Sequence, residues 1–503
     1  MFLCLLIFFP FIGGILSWKS EKLGKNIPRF VSLFFIIIDL FLLFFIFFKQ
    51  KFFLVNENNK NLFNLEFCHT WISDLGISIH FGIDGFSWLM ILLTLFLSFI
   101  SILLSWYEKI NNVGFFYFCI MFLISNTIGI FLSLDLFLFF LFWEIIVFPM
   151  YFIMIIWGRK SISFKKNLNF NYEYLIYSQL SGLILLISIL GLVINYHNTY
   201  HIWTFDYNLL KNNVLDKKLE LFLMIGFFIS FIIKVPIVPF HSWFPKFHKN
   251  TPIFGSLDLI GIVIKTSIYG LLRFCVVLFH HTSLIYSEYF YFLGLFCIFY
   301  SIFLAFFQKS IKKIIAYTSI SHMGFVLLAI YSGNLLAYNG IIIQMISYSL
   351  STSALIILTN ILYKNFGTDN FKKMSGLWKT MNFVPGFFLF FLMSNLGIPG
   401  TGNFIGEYLM LLGSFNNYPI IVSFSMIALV FSTLCFLNMY HKIFYGSCFV
   451  SSFKYKISKL EIFILFLFSF LLVFIGLFPN FIFKIDHSFI INISKEIYCF
   501  ILI

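Results

Sequence analysis

Charged residues are scarce in this sequence: Asp, Glu, Lys and Arg make up 11% of its 503 residues. A soluble domain carries about 25% charged residues, so the composition excludes an ordinary soluble protein. Hydrophobic residues make up 61%, and apolar runs of roughly 20 residues, each long enough to cross a bilayer, recur along the chain. Strand-type alternation is absent from these runs, so the sequence predicts a bundle of membrane-spanning helices.

Motifs for metals and cofactors are also lacking. There are eight cysteines, but no two have the Cys-x-x-Cys spacing of local zinc and iron–sulfur sites. No Gly-rich nucleotide-binding loop follows a strand pattern. The sequence therefore predicts no metal site and no bound cofactor in this chain. Its net charge of +13 comes from Lys and Arg in the loops between spans, which indicates topology and contact with lipids rather than a nucleic-acid partner.

Fourteen apolar segments can be distinguished, and the fold class is therefore an all-α, polytopic membrane protein with about 14 transmembrane helices. The first segment lacks a basic leading region and is predicted to be a retained span. The predicted spans lie near 1–17, 30–48, 85–106, 113–132, 133–156, 174–194, 220–238, 253–279, 289–307, 312–331, 338–362, 383–413, 418–441 and 460–478.

The loop charges predict the orientation of the chain. Loops after odd-numbered spans carry 22 Lys and Arg, among them Lys309, Lys312 and Lys313, whereas loops after even-numbered spans carry 6. The positive-inside rule places the odd loops on the matrix or cytoplasmic side, so both termini are predicted on the opposite, proton-rich side.

Several acidic residues lie inside predicted spans, where a charge costs about 2.5–3.5 kcal/mol on the insertion scale: Asp39, Asp135, Glu144, Asp258 and Glu407. Glu144 precedes Pro149, which predicts a kink in its span, and Asp135 stands at the start of the same span. Glu407 follows a break rich in Gly and Pro at 397–402. Each Glu is either a structurally tied carboxyl or a proton carrier, and the depth favours a proton carrier.

Basic residues inside spans complete the candidate set. Lys234 is followed at once by Pro236 and Pro239, so its helix should break at membrane depth, as helices do at ion sites in transporters. Snorkelling to the interface is the alternative for Lys234. Lys265 lies too near the centre of its span to snorkel.

Four further residues flank these basic side chains. Asp258 is seven residues before Lys265 on the same helix face, and Arg273 is near the end of that span, where an interfacial position is the alternative. His241 and His248 flank the break of span seven, and His322 lies in span ten. Histidine can relay protons near neutral pH, although a lone histidine is more often a structural donor.

The two broken spans, seven and twelve, are five spans apart. Because five is odd, the two copies would run in opposite directions, which predicts an inverted five-helix repeat of spans 4–8 against 9–13. The predicted organisation is residues 1–106 as three N-terminal helices, 107–279 and 280–445 as two half-channel repeats, and 446–503 as a final helix and tail.

Five stretches carry a resemblance to a known family. They are DLFLFFLFWEIIVFPMYFIMIIWG, FIIKVPIVPFHSWFPKFHKNTP, GSLDLIGIVIKTSIYGLLRF, AYTSISHMGF and LGIPGTGNFIGE. Together they resemble the antiporter-like membrane subunits of respiratory complex I, the proton-pumping NADH–quinone oxidoreductase, and the related large subunits of Mrp-type antiporters. Glu rather than Lys at position 407 resembles the chain 4 type.

The resemblance implies roles for single residues. Glu144 and Lys234 would be the charge pair of the first half-channel, Lys265 the central relay and Glu407 the terminal proton site, with His322 on the polar path between them. Asp258 and His248 would support this path. One departure is Tyr348, which stands where the family commonly has His; a phenol ionises near pH 10, so a Tyr–water wire replaces a histidine relay here.

The resemblance also implies partners and a location. Two neighbouring antiporter-like subunits would flank the chain, and NADH, FMN, iron–sulfur clusters and ubiquinone would bind in partner subunits. The implied location is the mitochondrial inner membrane, with both termini in the intermembrane space; heavy use of Phe, 77 residues, is typical of an AT-rich organellar gene. A stand-alone Mrp-type antiporter and a purely structural membrane subunit are the alternatives.

Overall fold

The computed structural model describes residues 1–50, 63–106, 108, 110–158, 164–252, 259–446, 457–486 and 489–490. Within these ranges the chain is mostly helical. The longer helices are Phe2–Ser20, Ile27–Gln50, Gly85–Ser105, Val113–Leu132, Leu136–Ile145, Val147–Trp157, Phe164–Tyr200, Lys217–Lys234, Trp243–Asn250, Ser287–Phe306, Ile311–Ile330, Leu335–Phe366, Val384–Asn395, Gly402–Phe415, Pro419–Phe444 and Lys459–Leu477. The segment from Leu259 to Leu278 is also helical and includes two π-helical turns, Leu259–Val263 and Leu271–Cys275.

Twelve helices in the described part of the chain are long and apolar enough to cross a membrane, which confirms the prediction of a polytopic helical membrane protein. Each agrees in position with a predicted span. The other two predicted spans are the broken ones: Lys217–Lys234 carries several charges, and the span near 383–413 is divided into Val384–Asn395 and Gly402–Phe415. The weakest predicted junction, at 132–133, is a real helix end at Leu132.

The helix breaks lie where Pro and Gly are concentrated. Proline lacks an amide hydrogen and clashes with the preceding turn, and the helix before Pro236 ends at Lys234. Pro149 is the third residue of helix Val147–Trp157 and cannot donate a hydrogen bond to the carbonyl of Ile145, and this helix is joined to Leu136–Ile145 through Ile146. Gly397 adopts φ of +71°, which favours glycine, at the break before Gly402.

The described chain forms two compact units. The first unit comprises 1–235, 262–285 and 484–503, and the second comprises 236–261 and 286–483. The apolar window of Gly261–Leu278, which belongs to the first unit from residue 262 onward, is wholly buried, and within the second unit the same holds for Leu335–Phe366. Each unit is therefore built around a central helix. The inverted repeat concerns internal symmetry and stays a prediction.

A β-hairpin was not predicted from the sequence. Strands Leu65–Ile72 and Ile77–Ile83 pair antiparallel and lead directly into the helix that begins at Gly85. Most of the first strand is exposed, while the end of the second is continuously buried, so neither strand has the alternating pattern that reveals a half-buried strand. The hairpin lies against the loops before helices Leu136–Ile145 and Tyr207–Leu210.

His80 links the hairpin to the loop before Tyr207. Its Nδ1 is 2.7 Å from Oδ2 of Asp206, and its Nε2 is 3.5 Å from Oε2 of Glu66. Burial alone would lower the pKa of His80, but the hydrogen bond and charge of Asp206, helped by Glu66, raise it above 6.5. The charged imidazolium therefore stabilises the hairpin.

We expect the hairpin to open more readily as pH rises. A raised folded-state pKa gives a stabilisation that is complete below pH 6.5 and is lost as the pH passes the folded-state pKa. Hydrogen exchange of the amides of 77–83, corrected for intrinsic rates, should show a lower opening free energy at pH 9 than at pH 6. His80→Gln should remove this dependence and His69→Gln, exposed on the same hairpin, should keep it. Equal opening free energies at the two pH values would contradict the prediction.

Candidate functional site

Lys234 is the last residue of its helix and is 3% exposed. Its ammonium donates a hydrogen bond of 2.8 Å to the backbone carbonyl of Trp143 and lies 3.5 Å from the centre of the indole ring. The negative end of the helix dipole also favours a cation at this position. Buried contacts hold Lys234 in place, so the structure gives no support for snorkelling.

Glu144 follows Trp143, so the structure brings the two predicted partners of the first unit together. The charges of Glu144 and Lys234 attract each other, and the side chain of Gln179 hydrogen-bonds to Glu144. Oε1 of Glu144 has no hydrogen-bond partner in the described part of the chain. The carboxylate is therefore loosely held compared with the ammonium.

Gly182 provides the space that Glu144 occupies. A Cβ atom added to Gly182 would lie 1.2 Å from Oε1 and 2.4 Å from Cδ of Glu144. Any larger residue at 182 must therefore displace the carboxylate. Sequence reasoning missed Gly182, because a single glycine in a helix carries no signal of its role.

Lys265 lies in the central helix of the first unit and is 1% exposed. It stands between the two π-helical turns, a feature that often occurs at functional sites. Its depth agrees with the prediction that this side chain does not snorkel. Its role as a relay stays a prediction.

The second unit brings Glu407, His322 and Tyr348 together. Nδ1 of His322 is 3.1 Å from Oε1 of Glu407, and the same oxygen accepts a hydrogen bond of 3.3 Å from Gln344. The rings of His322 and Tyr348 are 4.6 Å apart, and the Tyr348 hydroxyl donates to Oγ of Ser319 at 2.9 Å. All of these residues are buried, with 5% or less of their surface exposed. They therefore form a buried polar cluster among apolar helices.

Glu407 also stands against a glycine. A Cβ atom on Gly397 would lie 2.7 Å from Oε2 of Glu407, and the positive φ of Gly397 already favours glycine. The two acidic residues predicted as proton carriers, one in each unit, thus each have a glycine directly beside the carboxylate. The break at 397–402 is what places Gly397 there.

The two histidines near the first break lie in the second unit. The ring of His241 meets the ring of Tyr300 edge-on at 5.2 Å. His248 is wholly buried, and its Nδ1 is 2.9 Å from the carbonyl of Lys312. Lys312 in turn donates from Nζ to the carbonyl of Thr251 at 2.9 Å.

The sequence analysis assigned Lys312 to a loop, and this was wrong. The residue is the second of helix Ile311–Ile330 and is 0% exposed. Adjacent lysines at a helix start have the same sequence pattern as a positively charged loop, and only the packing against 248–251 distinguishes the two. Lys312 is therefore a further buried cation.

The other candidate residues from the sequence are Asp135, Asp258 and Arg273. Asp135 caps helix Leu136–Ile145 through Phe137 and Leu138, and it accepts two more hydrogen bonds from Ser78. These bonds account for its burial, and a part in proton transfer stays a prediction. Asp258 lies outside the described residues. Arg273 is 4% exposed and makes an ion pair with Asp84, and the interfacial alternative for it stays a prediction.

The chain is similar to known proteins in both sequence and fold. Residues 133–434 match the family described as NADH:quinone oxidoreductase/Mrp antiporter, transmembrane. NADH-quinone oxidoreductase subunit M of Buchnera aphidicola from Schizaphis graminum is 45% identical over 500 residues, covering 99% of this chain and 100% of the relative. NADH-ubiquinone oxidoreductase chain 4 of Chondrus crispus is 32% identical, covering 93% of this chain and 92% of the relative.

The fold of this chain also occurs in a solved structure. A chain in the structure of respiratory complex I from Thermus thermophilus with bound NADH superposes with a TM-score of 0.86 at 22% identity. The match covers 99% of this chain and 100% of the other. At that identity the likeness establishes the fold.

Proposed function

This chain belongs to the NADH:quinone oxidoreductase/Mrp antiporter family of membrane subunits, and from that membership we propose that it is a proton-translocating subunit of the membrane arm of an NADH–quinone oxidoreductase. The relatives named above as subunit M and chain 4 of such enzymes support this assignment over 100% and 92% of their length. The single observation that carries proton translocation is the pairing of an acid and a base within apolar helices in both units: Glu144 with Lys234, and Glu407 with His322.

The proposed path uses these groups in turn. A proton from the inner side loads Lys234, passes to Lys265 and leaves from Glu407, with His322, Tyr348 and water completing the route. A nearby carboxylate stabilises the charged form of an ammonium, so Lys234 holds its proton while Glu144 is close and releases it when Glu144 moves away. Oε1 of Glu144 has no hydrogen-bond partner in the described part of the chain, whereas the ammonium of Lys234 is bonded to the Trp143 carbonyl. This difference supports a mechanism in which the acid moves and the base stays in place.

The exposure of Glu144 supports a neighbouring subunit at this face. Glu144 is only partly buried within the chain, and its span is also exposed at Phe148. A charged side chain at membrane depth costs about 2.5–3.5 kcal/mol, so we propose that an antiporter-like neighbour covers the exposed part of Glu144. A displacement of that neighbour would then move Glu144, which couples proton transfer to events elsewhere in the enzyme.

Redox chemistry is assigned to other chains. We propose that NADH, FMN, iron–sulfur clusters and ubiquinone bind in partner subunits and that this chain holds none of them. Its enzymatic class is then that of the assembly, an NADH:quinone reductase that translocates protons. Bound lipids are expected along the exposed apolar helices, such as Lys459–Leu477.

The location follows from the enzyme. The chain is a multi-pass membrane protein, and we propose an energy-converting membrane with both termini on the proton-rich side. The mitochondrial inner membrane, predicted from the sequence, stays a prediction. The 45% identity with a bacterial subunit M, against 32% with a chain 4 of Chondrus crispus, favours a bacterial plasma membrane.

A stand-alone Mrp-type antiporter is the second candidate, because the family description covers both classes of protein. Full-length similarity to subunit M favours the oxidoreductase. Either function would use the same buried acids and bases, so assembly, rather than the site, distinguishes them.

We expect this chain in a large complex that oxidises NADH. Membranes solubilised in mild detergent and separated on a native gel should show one band stained by NADH oxidation. Mass spectrometry should find this chain in that band in equal amount to the NADH-binding subunit. Migration apart from NADH oxidation, with other transporter subunits only, would contradict the oxidoreductase assignment, and sodium-dependent proton exchange would become the assay.

A further inference from the structure

Three charged side chains are buried together at the end of the first unit where the hairpin joins helix Gly85–Ser105. They are Asp84, Arg273 and Asp486, with exposures of 1%, 4% and 1%. They come from three distant parts of the sequence, and the proposed proton path uses none of them. Buried ionisable groups at a membrane helix end are expensive unless they are paired, so each requires an explanation.

Two of the three residues satisfy each other. One carboxylate oxygen of Asp84 accepts from the backbone amide of Ser87 at 2.9 Å and caps the helix. The other oxygen makes an ion pair with Nη2 of Arg273. The negative charge of Asp84 and the positive charge of Arg273 therefore compensate each other.

Asp486 is the member of the cluster whose charge is not compensated. Neither of its carboxylate oxygens has a hydrogen-bond partner in the described part of the chain, and Nε of Arg273 lacks one as well. Its charge nevertheless interacts with those of Asp84 and Arg273. Gly85 permits this approach, since a Cβ atom there would lie 1.9 Å from the carbonyl oxygen of Ile485 and 3.0 Å from Cα of Asp486.

Aromatic rings surround the cluster and exclude water from it. The guanidinium of Arg273 lies 4.6 Å from the ring centre of Phe489, 5.1 Å from that of Phe63 and 5.3 Å from that of Tyr269. Phe86 stacks on Phe489 at 4.7 Å. In such surroundings a second, uncompensated carboxylate would be strongly unfavourable.

The charges of the cluster therefore balance only when it binds one cation. With both acids ionised, the set of two carboxylates and one guanidinium has a net charge of −1. Burial raises the pKa of Asp486 well above its usual range, the charge of Asp84 adds to this effect, and Arg273 opposes it. Among the described residues, the other titratable groups that interact with the cluster are Tyr269 and Tyr207.

We propose that Asp84, Arg273 and Asp486 form a proton-binding site in which the carboxyl of Asp486 takes up and releases the proton. A metal cation is disfavoured, because the guanidinium would repel it. The site is joined to Lys265 by one helix face, on which Lys265, Tyr269 and Arg273 follow at intervals of four residues, over roughly 12 Å. Arg273 lies in the π-helical turn Leu271–Cys275, a type of turn frequent at functional sites.

The inference has two parts, proton binding by Asp486 and exchange of this proton with Lys265. The second part rests on the proposed function. It would give the first unit an outlet of its own toward the end of the bundle at which the hairpin lies. Proton binding by Asp486 itself is independent of that exchange, and the two parts can be tested separately.

The test uses the intact complex with Asp486→Asn and Asp486→Glu. Infrared difference spectra between high and low pH should contain a protonated carboxyl band that is lost in Asp486→Asn and retained in Asp486→Glu. Proton pumping per NADH oxidised should fall in Asp486→Asn, with a changed pH profile, and should be largely restored in Asp486→Glu. Replacing sodium by choline should leave the band and the pumping unchanged.

The possible results separate the two proposals. An infrared spectrum of Asp486→Asn identical to that of the unaltered complex would overturn the proton-binding site. Loss of the band with unaltered pumping would overturn the connection to Lys265 and leave the function of the chain untouched. A sodium-dependent band would replace the proton by a metal cation and overturn the proposal. If Asp486→Asn does not assemble, the same infrared spectra are recorded for Arg273→Lys. The carboxyl band should then shift, because the cation beside Asp486 has changed. An unshifted band would overturn the proton-binding site.

Discussion

Replacing Glu144 by Gln is expected to reduce NADH-driven proton pumping by about tenfold or more, because each 1.4 kcal/mol of lost charge interaction changes a protonation equilibrium tenfold. Gln has the shape of Glu but cannot attract the ammonium of Lys234. Lys234 would then remain buried, with the Trp143 carbonyl and ring as favourable contacts for its charge among the described residues. It could no longer alternate between holding and releasing a proton, so the gating step would be lost.

The measurement is proton uptake in vesicles that contain the assembled complex. NADH oxidation with an artificial electron acceptor should persist, since the redox groups are proposed to lie in other chains. Glu288→Gln is a matched control, because the same chemical change is made at an exposed helix start. Pumping by Glu144→Gln at the level of this control would remove Glu144 from the mechanism.

Gly182→Ala is expected to impair pumping nearly as much, although it removes no charge. The added methyl group would overlap Oε1 of Glu144, and the carboxylate must move away from its present place. Assembly should be normal, because the displaced atoms are the far end of a flexible side chain and Ala is a better helix former than Gly by roughly 1 kcal/mol. The variant therefore tests the position of Glu144 separately from its charge.

The control for this variant lies on the same helix. Gly191→Ala would meet only Cδ2 of Leu223, an apolar atom, and should leave pumping unaffected. In the double variant with Glu144→Gln, Gly182→Ala should add little, since both changes act on one interaction. Additive losses, or normal pumping by Gly182→Ala in complexes of normal abundance, would show that Gly182 does not position Glu144.

Some residues of the candidate site could be predicted from the sequence, because a charged residue within an apolar run is recognisable from its neighbours alone. Lys234, Lys265, Glu144 and Glu407 are conspicuous because each interrupts a run of apolar residues. Their burial inside the bundle agrees with that reading, apart from the partial exposure of Glu144. Gly182 and Lys312 could not be recognised in the same way, because a helical glycine and a lysine at a helix start are common features with many explanations.

Packing alone brings the newly inferred site together. Asp84 lies beside a helix start, Arg273 near a span end and Asp486 beyond the last predicted span, and nothing in the sequence connects them. The link depends on Gly85, which permits the backbone near 485 to approach, and on rings from 63, 269 and 489.

Local features of the sequence are sufficient to show that the chain spans a membrane, where its helices break and which family it resembles. These properties depend on hydropathy over about 20 residues, on the missing amide hydrogen of proline and on contiguous motifs, all of which are local. Three properties are visible in the folded chain and not in its sequence: which side chains share a site, how Glu144 and Glu407 pack against glycines, and which charge in the 84–273–486 cluster is left uncompensated. Such contacts join residues far apart in the chain, and their free energies depend on distances of a few tenths of an ångström that no local pattern encodes.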